Sequence, residues 1–90
     1  MDKEMPKPIN IFVKFDPILE LITGQTEMKI VMSEGASFIF LIQSIFTSYP
    51  EIPKRYQPGR LAMILNNRRP TEYEFLHDGD RIIFQAVDGS

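Results

Sequence analysis

Few side chains in this sequence have the chemistry to react. His77 is the single histidine and stands beside Asp78, an acid–base pair on paper. No nucleophile, oxyanion-holding loop or second base accompanies it, so His77 is expected to be a turn residue. The chain has no cysteine, which removes disulfides, thiolate zinc ligation and a cysteine nucleophile together; one histidine leaves no transition-metal ligand set. Lys54, Arg55, Arg60, Arg68 and Arg69 fall in a stretch free of acids between Glu51 and Glu72, with Tyr56 among them. Such residues can grip phosphate. The net charge is −2 and no nucleic-acid motif is present, so the reading is a solvated basic rim that orients an acidic partner, with no nucleic acid bound. Nothing here builds an active site, and the chain is expected to be no enzyme, with no metal and no bound cofactor.

The elements that must carry these residues belong to one small domain. Ninety residues, 43% hydrophobic and 24% charged, make a single globular core and exclude a two-lobed enzyme with a cleft. Residues 1–8 read as a flexible leader and 9–90 as the domain, with a C-terminal tail over 87–90. The first apolar run is short and interrupted and no cleavage site follows it, so no secretory signal is expected and the location is expected to be cytoplasmic. Between Ile9 and Phe15 the odd positions are apolar, the period of a half-buried strand, with Phe12 on the outer face. Asp16 and Pro17 break it, Ile18 to Ile22 is a short apolar patch, and Gly24 marks the turn into a second strand, Glu27 to Met32. The two are expected to pair antiparallel.

Ser37 is placed to cap a helix running to Tyr49, with Phe38, Leu41, Ile42 and Ile45 as its core stripe and Pro50 and Pro53 closing it. Glu51 to Gly59 reads as irregular loop and Leu61 to Leu65 as a strand. Asn66-Asn67 forms a turn, and Arg68 to Phe75 is an edge strand or loop because of Pro70. Asp78-Gly79-Asp80 turns into a last strand, Arg81 to Val87. The order implies an α+β fold, a mixed four- to five-stranded sheet with one main helix across it.

The run Leu65-Asn66-Asn67, then Leu76, Asp78-Gly79-Asp80, Ile82, Phe84, Val87 and Gly89, resembles the ThiS/MoaD family of ubiquitin-like β-grasp sulfur carriers, and the opening Ile9 to Gly24 resembles the family's first hairpin. The resemblance spans nearly all of the chain after Pro8. It implies a carrier whose terminal carboxylate is adenylated with ATP by an activating enzyme, converted to a thiocarboxylate, and delivered to a larger catalytic subunit in molybdopterin or thiamine synthesis. The family ends in Gly-Gly; this sequence reads Asp88-Gly89-Ser90, and the run from the Asp-Gly-Asp turn is one residue shorter than usual. Gly89 matches the first glycine and Ser90 stands at the second. A glycine tail threads a narrow channel in conformations closed to other residues, whereas Ser90 adds bulk and Asp88 adds charge. Two readings therefore stand: a carrier with a variant tail, or a β-grasp interaction subunit of a larger complex that transfers nothing. Isopeptide attachment of the tail to lysines is a third, and it needs the same activation.

Two surfaces are candidates for partners. Phe12, Ala62, Ile64 and Ile83 share the parity opposite the core, with Gln85 alongside, and the resemblance makes this outer sheet face the docking surface. The helix carries no charge between Glu34 and Glu51. There Ile39, Phe40 and Phe46 add apolar area outside the core stripe, either a wide core contact with single apolar residues left at the surface or a second interface or homo-oligomer contact. The uncharged run is far short of a membrane span.

Overall fold

The structure is a computed structural model that describes residues 6–87. Four strands form one mixed sheet in the order β2-β1-β4-β3, where β1 is Pro8–Phe15, β2 Glu27–Ser33, β3 Leu61–Leu65 and β4 Arg81–Ala86. β1 pairs antiparallel with β2 and parallel with β4, and β3 pairs antiparallel with β4. This is the expected α+β, β-grasp arrangement, with four strands rather than five. The alternation read from β1 holds: Ile9, Ile11, Val13 and Phe15 are all buried while Phe12 turns outward, half-buried. Parity also places Ile82 and Phe84 of β4 and Leu61 and Leu65 of β3 in the core, with Met63 half-buried against it.

Helix α2, Phe38–Ser48, lays Phe38, Leu41, Ile42 and Ile45 on the inner face of the sheet. Its first amides, which have no partner within the helix, are all taken. Phe38 N–H donates to the carbonyl of Glu74 at 2.7 Å and Ile39 N–H to that of Glu72 at 2.9 Å. Ser37 caps as expected, its Oγ accepting from Phe40 N–H at 3.4 Å. The ambiguous stretch 68–75 is therefore a loop that closes the start of α2. Arg68 grips both carboxylate oxygens of Glu74 from the other end of that loop, and Thr71 N–H donates to the same carboxylate at 3.2 Å. These bonds, Arg68 first, hold the Glu74 carboxyl down to about 2 against an ordinary 4.5. A depressed carboxyl favours the folded state above its unfolded pKa. The difference in thermal midpoint between the native chain and Glu74→Gln is thus expected to be full above about 4.5 and to fade as pH falls through about 2. Melting both proteins across that range checks it; a difference independent of pH would rule out the ion pair.

Two segments depart from the sequence reading. Ile18 to Ile22 is no bare apolar patch but part of helix α1, Pro17–Thr23, which connects β1 to β2. Asp16 is its N-cap, accepting from Leu19 N–H at 2.8 Å; Pro17 takes the first turn, where no N–H is needed; and Gly24 at φ 73 ends it in the left-handed conformation. The segment Glu51 to Gly59 is likewise no irregular loop. It holds a second short helix, α3, Glu51–Arg55, which buries Ile52, and the start of a 3-10 turn, Pro58–Arg60. Pro50 and Pro53 do end α2, but both sit at the start of α3, where proline is tolerated.

The strand β1 also begins one residue earlier than expected, at Pro8.

Candidate functional site

The outer face of the sheet is built by register. On β3 and β4, Ile64 lies directly opposite Ile83 and Ala62 opposite Gln85. The parallel pairing of β1 with β4 sets Phe12 beside Arg81 and Lys14 beside Ile83. Every second residue of three adjacent strands thus turns to one side, and Phe12, Ile64 and Ile83 become the half-buried floor of a shallow groove of about 540 Å³. Lys14 and Arg81 stand on its basic side, with Glu27 as its acid and Asn66 and Asn67 as its end wall. Ala62 and Gln85 are on the same face but outside the groove, nearer the end of β4; Ala62 is half-buried and Gln85 exposed. Asn66 and Asn67 entered the sequence reading only as a turn and in the family resemblance, and Lys14 and Arg81 not as site residues, although the alternation that singled out Phe12 and Ile83 places both cations on the same side.

The wall is rigid for local reasons. Asn66 and Asn67 both have positive φ, 49 and 69, and Leu65 and Arg68 exchange N–H to carbonyl bonds around them, the tight two-residue turn that asparagine tolerates. Asn66 also donates through Nδ2 to Asp80 Oδ1 at 3.0 Å and accepts from Arg81 N–H at 3.0 Å. Asp80 is buried and takes His77 N–H on its other oxygen at 2.8 Å; Asp78 accepts from Asn10 N–H at 2.7 Å. Gly79, at φ 88, donates to the Asn10 carbonyl. The Asp-Gly-Asp run is thus a structural knot joining β1 to the start of β4. His77 enters it through its backbone, as a turn residue.

At the other end of β4 the chain leaves the sheet between two anchors. Ala86 N–H donates to Asp16 Oδ2 at 2.8 Å, so one carboxylate both caps α1 and holds the last residue of the strand. Val87 N–H donates to the Arg60 carbonyl at 2.8 Å. Gly89 and Ser90 lie outside the described residues. The helix residues proposed as a second interface separate: Phe46 packs against the core, Ile39 is half-buried, and Phe40 is 56% exposed. Arg55 and Arg68 of the basic stretch are engaged with Glu51 and Glu74, while Lys54, Arg60 and Arg69 are exposed.

An apolar floor with cations beside it can bind and orient a protein surface. Among the described residues no set of three potential ligands gathers to hold a metal, and no helix is long and apolar enough to cross a membrane.

No family model matches the sequence, and no curated protein matches it. Solved structures do match. A protein assigned as molybdopterin converting factor subunit 1 from Pyrococcus furiosus superposes with a TM-score of 0.77 at 23% identity, over 89% of this chain and 99% of that one. Small archaeal modifier protein 1 of Haloferax volcanii gives 0.75 at 12% identity, over 89% and 99%. Urm1 of Trypanosoma brucei gives 0.72 at 20% identity, over 96% and 99%. The described residues have the ubiquitin-like β-grasp fold of these proteins, in keeping with the resemblance carried by the sequence.

Proposed function

We propose that this chain is a ubiquitin-like sulfur carrier that acts through the segment following β4, with Gly89 and Ser90 entering the active site of a partner while Phe12, Ile64 and Ile83 dock. The observation that carries the reading is the placement of β4: an inner strand of the sheet, its outward residues Arg81 and Ile83 in the groove, its end held by Asp16 and Arg60 where the tail begins. A tail leaving a fixed point on the strand that docks can be aimed by docking. The fold-wide likeness to a molybdopterin converting factor subunit, an archaeal modifier and Urm1 supports the same class. In this reading an adenylating enzyme joins the terminal carboxylate to AMP, releasing pyrophosphate from ATP, and a sulfur donor displaces AMP to leave a thiocarboxylate. A larger catalytic subunit then takes the sulfur. The Pyrococcus furiosus relative favours a molybdopterin route over a thiamine one, and the work is assigned to the cytoplasm. The carrier itself is a cosubstrate and not the catalyst.

The second reading, an interaction subunit that transfers nothing, is supported by Gly89-Ser90 in place of Gly-Gly. Intact mass after incubation with ATP, a sulfur donor and the activating enzyme of the same cell separates the two. Replacement of one oxygen by sulfur at the terminus is the expected result. No gain in mass, while Ser90→Gly gains it under the same conditions, would overturn the carrier reading in favour of the interaction subunit.

A further inference from the structure

In the order β2-β1-β4-β3, strand β2 has one neighbour. The phase of its hydrogen bonds to that neighbour is fixed at both ends. Glu34 N–H donates to the Lys7 carbonyl and Phe15 N–H to the Thr26 carbonyl, both at 2.8 Å, with Ile11 opposite Ile30 between them. Bonded pairs alternate in an antiparallel ladder, so the even positions of β2 bond to β1. Lys29 and Val31 therefore turn their N–H and C=O groups the other way, toward an edge that meets no strand among the described residues.

Such edges are normally blunted by proline, a bulge or charged side chains, lysine above all. β2 pairs in unbroken register over its whole length with neither proline nor bulge, and beyond Glu27 and Lys29 its second half, Ile30 to Ser33, carries no charge. Beside the edge, Ile30, Val31 and Met32 meet Phe40 and Ser44 of α2 in a groove of about 370 Å³ with no charged side chain in its lining. Val31 is 58% exposed and Phe40 56%, large apolar groups left in water at one spot.

We propose that two copies of this chain associate through β2, antiparallel about a twofold axis at Val31, joining their sheets into one. The free N–H and C=O groups require an extended backbone as occupant, and β2 complements itself. With Val31 opposite Val31 of the second copy, Lys29 faces Ser33 and Ile30 faces Met32, so no like charges meet. Centring the axis on Lys29 instead would set two ammonium groups directly opposite, which destabilises a pair. Phe40 flanks the edge in each copy and leaves water as the edges close. One short strand per copy is a small contact beside the roughly 1,200 Å² of a stable interface, so the dimer is expected to form at about 0.1–1 mM. β4 lies two strands from this edge, so the association does not depend on the carrier reading.

The test is amide exchange and sedimentation of the full chain across a dilution series. At high concentration the amides of Lys29 and Val31 are expected to gain protection along with a shift to dimer mass, and to lose it on dilution, while the even positions stay protected throughout. Val31→Lys, at an exposed site, is expected to keep the folded spectrum and abolish the dimer; Phe40→Gln is expected to weaken it. A chain that stays monomeric at about 1 mM, or a dimer that survives Val31→Lys with these amides unprotected, would overturn the proposal.

Discussion

Phe84→Ala is expected to cost about 3–5 kcal/mol, the range for truncating a buried aromatic. Phe84 is fully buried at the middle of the core, its ring edge-on to Phe15 with centroids 5.9 Å apart and planes at 87°. Phe15 in turn meets Tyr49 at the end of α2, at 6.4 Å and 75°. One ring thus links β4 to β1 and, through β1, to the helix. The strands on both sides hold the site open, because Phe84 lies opposite Phe15 on one and Met63 on the other, and a sheet fixed by its ladder collapses poorly into a hole. A domain of this size has a total stability on the order of 5–15 kcal/mol, so the loss is a large share of the total, and at the low end of that range it leaves the variant partly unfolded without denaturant. Urea unfolding read by circular dichroism checks it. A loss under about 1 kcal/mol would mean that Met63 and the half-buried Tyr49 refill the space, and that the core is softer than its burial implies.

The alternation that buries Phe84 was plain in the sequence, as it was for β1, β2 and β3, because a sheet with one covered face imposes period two on every strand. The helix stripe of α2 was equally legible. Its lack of charge has a physical account the pattern did not supply. Besides Phe40, the outward residues are Gln43, Ser44, Thr47 and Ser48, and Ser44 and Thr47 spend their hydroxyls on the carbonyls of Phe40 and Gln43 one turn back. Helix α1 escaped although its boundaries were written in Asp16, Pro17 and Gly24; seven residues are too few for a helical period to outweigh a strand break. Helix α3 is hidden in the sequence because Pro50 and Pro53 read as terminators, and proline in a first turn starts a helix as readily as it ends one. The loop 68–75 could not be read locally at all. Its role lies in two carbonyls that cap α2, some thirty residues away in sequence, and only the folded chain brings them there.

One residue before Phe84, the same strand is expected to respond in the opposite way. Ile83→Asp should leave the domain folded and weaken docking of an activating partner by roughly 30- to 1,000-fold, the loss of about 2–4 kcal/mol that a central apolar contact supplies. Ile83 points outward between Ile64, opposite it on β3, and Lys14, beside it on β1. The intramolecular cost is small for that reason: the new carboxylate meets water on an already half-open face, with Lys14 and Arg81 of the groove near enough to compensate it. A few tenths to about 1 kcal/mol of strand preference is the expected loss of stability. For a partner the same change is severe. It puts an acid in the floor that should be desolvated, and it draws the two cations inward, so the burial and the orientation that the groove offers are lost together. Titration calorimetry against the activating enzyme, with unfolding of the free variant measured in parallel, separates the effects. If binding and activation of Ile83→Asp matched the native chain while its stability stayed intact, the outer groove would not be the docking surface. The anchored exit of β4 at Asp16 and Arg60 would then have to present the tail without it.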